Sequence, residues 1–246
     1  MNTHNRKEKY STGQLQNQEI KAHFKAYPVE LKAIFFDMDG LLLDTERTYK
    51  DGWLHAFASV GIDIAENVIS SWSGLSWTWI KQALEKEFGK EKVQRARNCR
   101  EVYIQEQMDK GCIPAKPYAK EILNLAREKG YQVGVVSSTV SARAIPLLLT
   151  SELLPFLNVM VFGDEITAHK PLPDPYLAAL KKANVNPSQA IAAEDSLAGA
   201  QAATKAGIKV FLVPDTSFGK VYLPEEKRNL NLIGEATSLD ALREYL

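Results

Sequence analysis

Apolar residues follow two rhythms along this chain, and the change between them divides it. Ala33-Ile34-Phe35-Phe36 is a continuous apolar run, as expected of a strand buried on both faces of a parallel sheet. Beyond it, Tyr49, Trp53, Leu54, Phe57 and Val60 recur near a 3.6-residue period until Gly61, which predicts a helix and its end. Further helical stretches are predicted over 65–71, 77–88 and 90–110, the first two joined by the small-residue loop 71–76. After Pro117 strands and helices alternate, the mark of βαβ units. Gly130 closes a helix over 118–129, and a strand over 132–136 ends at Ser137-Ser138-Thr139. A helix follows from Ser141, which Pro146 is expected to kink or delay. The next strand is 158–162, and Asp174-Pro175 supplies an N-cap and first position for a helix running to about Ala183. A strand over 190–193 leads into Glu194-Asp195; Ser196 caps a small-residue helix that Gly207 stops, and strands over 210–213 and 230–233 complete the pattern.

The order predicts an α/β fold, a doubly wound parallel-sheet core formed by 30–44 and 115–246. A small α-helical domain over 45–114 is inserted into it. Residues 1–29 are rich in Asn, Gln, Lys, Glu and Ser and read as a polar extension, disordered or with a short helix around 16–26. Composition adds exclusions. The 246 residues carry 30 Lys+Arg against 30 Asp+Glu, so there is no electrostatic footprint for nucleic acid or a membrane surface. No apolar run approaches membrane-spanning length, and the polar N-terminus lacks a signal-peptide core. Cys99 and Cys112 match no metal-ligand spacing and are expected as free thiols of a cytoplasmic protein, and a monomer or weak homodimer is expected.

The candidate chemistry begins where the first strand ends. In extended chain residues i and i+2 point the same way, so Asp37 and Asp39 face one space while Met38 turns inward. Gly40 lets the chain bend away beside whatever occupies that space. Two carboxylates so placed suit transfer of an anionic group, one attacking as nucleophile and the other shuttling a proton at the leaving atom. Their repulsion for each other and for the substrate implies a cation, best an oxygen-liking Mg²⁺. Alone, the pattern also fits a polar turn; an EF-hand loop fits less well, because Leu41 would fall at its fifth position.

Three further strand ends carry polar residues: Ser137 with Ser138, Lys170 one loop on, and Glu194 with Asp195. In a doubly wound sheet these ends converge on one edge. Glu194 and Asp195 are acceptors able to complete a metal site with Asp37 and the Asp39 carbonyl, Ser137 offers a phosphoryl group a hydroxyl, and Lys170 offers positive charge. Each alone also fits a structural role, as a cap, a solvated lysine or an acidic helix start. Four in this order make coincidence the weaker reading.

These motifs together resemble the haloacid-dehalogenase superfamily of hydrolases, in the branch with a helical cap inserted after the first strand. Asp37-Met38-Asp39-Gly40-Leu41-Leu42-Leu43-Asp44-Thr45-Glu46 is similar to that branch's first motif nearly letter for letter. Ser137 matches the second, Lys170 in Lys170-Pro171-Leu172-Pro173-Asp174-Pro175-Tyr176 the third, and Glu194-Asp195-Ser196 the fourth. The resemblance implies a Rossmann-like core and a phosphoaspartyl mechanism. Asp37 would attack phosphorus, Asp39 would act as general acid and then base, Ser137, Ser138 and Lys170 would bind phosphate, and Mg²⁺ would sit among Asp37, Asp39, Glu194 and Asp195.

Departures bear on the substrate. The branch's β-phosphoglucomutases carry a His twelve residues after the nucleophile, where this chain has Tyr49. Their cap loop presents an Arg to the substrate's second phosphate, whereas the matching Gly74-Leu75-Ser76-Trp77 offers Trp77. The Leu-rich first motif and Arg47 look more like monophosphate phosphatases, nucleotide-type ones included. Glu46, Gly74 and Trp77 are expected to line the cleft, Trp72, Trp77 and Trp79 to pack the cap, and His55 to be structural, while His169 fits a solvated loop residue as well as a substrate contact. The expectation is a Mg²⁺-dependent phosphatase for a small phosphomonoester metabolite, a sugar phosphate or nucleotide-type compound, with a sugar-phosphate mutase as the rival.

Overall fold

A computed structural model describes residues 30–72, 77–215 and 222–246, the side chains of 77–79 excepted. Residues Leu31–Leu246 form one compact unit. Its centre is β1 (Ala33–Phe36), whose four side chains are all fully buried. On one side β1 pairs with β2 (Gln132–Val136), and β2 with β3 (Val159–Val161); on the other it pairs with β4 (Ala190–Glu194), followed by β5 (Lys209–Leu212) and β6 (Leu232–Glu235). All five pairings are parallel, giving the order β3-β2-β1-β4-β5-β6. The chain thus winds outward in both directions from β1, which makes the carboxyl end of β1 the switch point where such sheets bind ligands.

Four helices, α1 (Thr45–Ser59), α2 (Glu66–Ser70), α3 (Trp77–Phe88) and α4 (Lys90–Asp109), lie between β1 and β2. They bury a cluster of their own: Ala56, Phe57, Ile62, Ile69, Ile80, Leu84, Val93 and Ala96. Trp53 stacks on Phe57 at 5.2 Å between centroids, and Trp72 meets both rings edge-on, so Trp72 is a packing residue as expected. The outgoing and returning chains run side by side. Asp44 N donates to Pro114 O at 3.0 Å and Lys116 N donates to Leu42 O at 2.8 Å. That two-stranded neck is the only covalent route between the helices and the sheet, because both connections pass through it.

Among the described residues the further α-helices are α5 (Ala119–Glu128), α6 (Ser141–Thr150), α7 (Asp174–Ala183), α8 (Leu197–Lys205) and the short α9 (Pro224–Lys227), of which α5, α7 and α8 pack on the sheet. The alanines of α8, with Tyr176 and Ala179 of α7, pack against β1, β4 and β5, where small side chains allow close approach. Two local expectations shift. Pro146 sits inside α6 without delaying its start, and Asp174 occupies the first turn of α7 after Pro173 rather than capping it by its side chain. Among the described residues no helix is long and apolar enough to cross a membrane.

Candidate active site

Three strand ends meet at the switch point. Asp37 leaves β1 with its N–H on Ala193 O at 3.0 Å, Ser137 leaves β2 with its N–H on Val161 O at 3.0 Å, and Glu194 ends β4. The strand ladder therefore fixes the backbone under each functional group. Asp37, Ser137, Glu194 and Asp195 are buried, Glu194 completely.

Lys170 organises the buried carboxylates. Its Nζ donates to Asp37 Oδ1 at 2.5 Å, to Glu194 Oε1 at 2.7 Å and to Val136 O at 2.8 Å, which occupies all three ammonium protons. The Tyr176 hydroxyl donates to the same Glu194 Oε1 at 2.6 Å. Burial pushes the Asp37 carboxyl up to about 8, against the pull of Lys170 and with help from Glu194 and Asp39. Burial alone would lower Lys170, but Asp37 and Glu194 outweigh it and hold the ammonium charged. Burial beside Glu194 keeps the Tyr176 phenol protonated and hence a donor.

Asp39 is held apart from that cluster by hydroxyls. Its Oδ2 accepts from Ser137 Oγ at 3.0 Å and Thr139 Oγ1 at 2.8 Å, and its Oδ1 accepts from the Tyr49 hydroxyl at 3.1 Å. Asp37 and Asp39 thus have different partners, a cation for one and neutral donors for the other.

Residues 34–213 match the family model of the haloacid dehalogenase-like hydrolases. The chain belongs to that family. It is 28% identical over 222 residues to a phosphorylated carbohydrates phosphatase of Thermotoga maritima, a match covering 88% of this chain and 100% of that one. It is 31% identical over 181 residues to a validoxylamine A 7'-phosphate phosphatase of Streptomyces hygroscopicus subsp. limoneus, covering 72% and 83%. Among solved structures, a β-phosphoglucomutase of Clostridium difficile has the same fold, with a TM-score of 0.67 at 24% identity over 86% of this chain and 93% of that one.

Within this haloacid dehalogenase-like site, most of the expected residues come together. Asp37, Asp39, Ser137, Lys170, Glu194 and Asp195 are joined by the contacts above or by the carboxylate cluster, in which Asp37, Glu194 and Asp195 each offer an oxygen within 4.8 Å of the others. Ser138, expected to bind phosphate, is exposed beside Ser137 and makes no side-chain hydrogen bond to these residues among those described. Thr139 joins Ser137 on Asp39, and the signal was available, since Ser137 and Thr139 share one side of the chain by the i, i+2 rule that pairs Asp37 with Asp39. Glu46 lies half-buried in the first turn of α1, its Cγ 3.4 Å from where a Cβ on Gly40 would stand. Gly74 and the Trp77 and Trp79 side chains lie outside the described residues. Arg47 and His169 are exposed, and His55 stacks on Tyr103 at 5.2 Å. From the sequence Thr139 had no site role, Tyr176 stood only as the last letter of the third motif, and Tyr49 was noted only as the residue where the mutases carry a His.

Two glycines shape the site. Gly40 has φ +87, and a Cβ there would lie 2.6 Å from Asp195 Oδ2. At Gly199, in the first turn of α8, a Cβ would lie 2.0 Å from the Glu194 carboxylate. Ser196 Oγ caps the same turn by accepting from Gly199 N at 3.1 Å, as the sequence predicts. Glu194 is thus seated against a helix N-terminus whose positive end favours its charge. Gly199→Ala is expected to cost about 1–3 kcal/mol of stability through overpacking and to displace Glu194. A melting temperature and an activity both equal to wild type would contradict this seating.

Proposed function

We propose that this hydrolase is a Mg²⁺-dependent phosphatase that cleaves a small phosphomonoester metabolite, a sugar phosphate or nucleotide-type compound, through an aspartyl-phosphate intermediate. The observation that carries this reading is the division of labour between Asp37 on Lys170 and Asp39 on Ser137, Thr139 and Tyr49. Asp37 attacks phosphorus, the bond from phosphorus to the leaving oxygen breaks, and Asp39 gives that oxygen a proton. Asp39 then takes a proton from water as water attacks phosphorus and the bond to Asp37 breaks. Lys170 steadies Asp37 and the phosphoryl oxygens, and the Ser137 hydroxyl can turn from Asp39 to the phosphoryl group while Thr139 stays on Asp39 Oδ2. The phosphatase names of the relatives support the reaction class. Residues 45–114 are assigned as a cap over the core of 30–44 and 115–246, supported by their separate hydrophobic cluster and the paired neck.

The residues fit a hard cation. Asp37, Glu194 and Asp195 bring buried carboxylate oxygens together with Lys170 as the cation among them, a surplus of negative charge that oxygen-bound Mg²⁺ would neutralise. Asp37, Asp195 and the Asp39 carbonyl would hold it, with Glu194 behind them. When bound, it supplies positive charge to the phosphoryl oxygens. Without it, Asp37 rises from an ordinary value of 3.8 to about 8. The folded state then holds its proton more tightly than the unfolded state. The resulting stability is full below the unfolded value and is lost as pH rises through about 8. The rise in melting temperature on saturating Mg²⁺ is therefore expected to be larger at pH 9 than at pH 6. A rise that shrinks over that range would count against the cation lying on Asp37.

Measurement of phosphate released from a panel of phosphorylated sugars, nucleotides and polyols tests the reading directly. Phosphate release should match substrate loss for every accepted sugar phosphate, with no activation by a bisphosphate primer. Conversion of β-glucose 1-phosphate to glucose 6-phosphate, accelerated by the bisphosphate, would establish the mutase instead. The phosphatase is favoured because Tyr49 rather than a His stands against Asp39.

A further inference from the structure

Asp39 is anchored from two bodies. Ser137 and Thr139, which follow β2, hold its Oδ2, while the hydroxyl on its Oδ1 comes from Tyr49 in the second turn of α1, within the inserted helices. Tyr49 is itself fixed. The Arg100 guanidinium of α4 lies over the Tyr49 ring at 5.0 Å and over Trp53 at 4.8 Å, a cation between two aromatic faces. Arg100 Nη1 donates to Glu101 Oε1 at 2.9 Å, and Glu101 Oε2 accepts from Arg143 of α6, across the junction between the helices and the core. The contacts close on Tyr49 of α1 from two directions, from Arg143 of the core directly and through Glu101 and Arg100 of α4, and Tyr49 leads back to Asp39 of the core. Burial and the charge of Asp39 keep the phenol protonated, so Tyr49 meets Asp39 as a donor.

We propose that Tyr49 is a positioning residue for Asp39, and that the Arg143–Glu101 pair holds it in place, so that Asp39 is correctly aimed only with the inserted helices down on the core. The inference rests on the phosphatase reading above. With Oδ2 on the Thr139 hydroxyl and Oδ1 on Tyr49, the carboxylate is held at both oxygens, and one lone pair of Oδ1 remains for the proton of the attacking water. Without Tyr49, Asp39 pivots about its Oδ2 contacts and the water-activating step suffers. The first step with a good leaving group needs little proton transfer and is spared. Ser137 and Thr139 are part of the core and cannot report the position of the helices; Tyr49 can.

The experiment is pre-steady-state hydrolysis of an aryl phosphate by Tyr49→Phe, alone and combined with Asp39→Asn. Phenylalanine keeps the ring under Arg100, so the fold is retained. Tyr49→Phe should leave the rate of the aryl alcohol burst within about twofold of wild type while slowing phosphoenzyme decay by about 10- to 100-fold, the worth of a hydrogen bond to a charged group. In the Asp39→Asn background the same substitution should have no further effect on that decay. Glu101→Gln, the second variant, should slow decay several-fold and do nothing further once Tyr49 is Phe. An equal loss from Tyr49→Phe with and without Asp39 would overturn the proposal and make Tyr49 a packing residue. Equal slowing of burst and decay would do the same. If instead Asp37→Asn turns over like wild type, the aspartyl-phosphate reading itself falls and this inference with it.

Discussion

Asp37→Asn is expected to lower phosphate release by roughly 10⁴-fold or more, the scale of removing a nucleophile from a concerted site. An amide neither attacks phosphorus nor offers a cation the charge of a carboxylate. The substitution preserves size, and Asp37 is buried next to two other carboxylates while Lys170 also has Glu194 and Val136 O as acceptors. The metal-free variant should therefore fold and melt at or above the wild-type temperature at pH 9, where the wild-type carboxyl is ionised without a metal. Loss of activity with retained stability is the signature of chemistry rather than scaffolding. Excess EDTA should remove wild-type activity and Mg²⁺ should restore it. Full activity in EDTA, or an Asp37→Asn protein that turns over like wild type, would end the mechanism proposed above.

The elements were readable in the sequence where burial is two-sided. β1 is apolar throughout, β2 after Gln132 and β4 up to Glu194, and Gln132–Val136 forms a strand over the range its pattern predicts. Strands at or near the sheet edges were less legible. The expected strand over 158–162 is shorter, Val159–Val161, and that over 230–233 lies instead at Leu232–Glu235. One flank of such a strand has fewer neighbours, so its pattern constrains its ends less. The strand order was not legible at all in local periodicity, because it depends on which helix crosses which face.

The site divides in the same way. Residues at strand ends declare themselves, since alternation fixes where they point and topology brings the ends to one edge. Asp37, Asp39, Ser137, Glu194 and Asp195 are of this kind. Tyr49, Arg100 and Glu101 sit on helices whose side-chain period serves packing equally well, and their meeting with Arg143 depends on docking of α4 beside α6. Nothing local distinguishes Arg100 from the other arginines of α4. Tyr176 was visible only as one letter of a motif, although its hydroxyl reaches the buried Glu194 at 2.6 Å. Long-range contacts of helical residues are what a single sequence hides best.

Asp39→Asn is expected to cost roughly 10²–10⁴-fold in turnover of alkyl phosphates, the range for loss of a general acid–base group. The substitution keeps the shape and leaves an amide that can still accept from Ser137, Thr139 or Tyr49, so the fold and the Asp37–Lys170 contact should persist. What an amide cannot do is release and recover a proton. An alkoxide is a poor leaving group without that proton, so both steps fail for an alkyl ester. An aryl oxide leaves unaided, so for an aryl ester the first step survives and only the attack of water is slowed. The variant should thus give a burst of aryl alcohol near the wild-type rate, followed by slow turnover and a phosphorylated protein heavier by one phosphoryl group on mass spectrometry. The added mass should lie on the peptide containing Asp37. Burst rates lowered equally for aryl and alkyl esters would show that Asp39 serves binding rather than proton transfer. The hydroxyl cradle around it would then be a means of holding charge in place rather than of aiming a base.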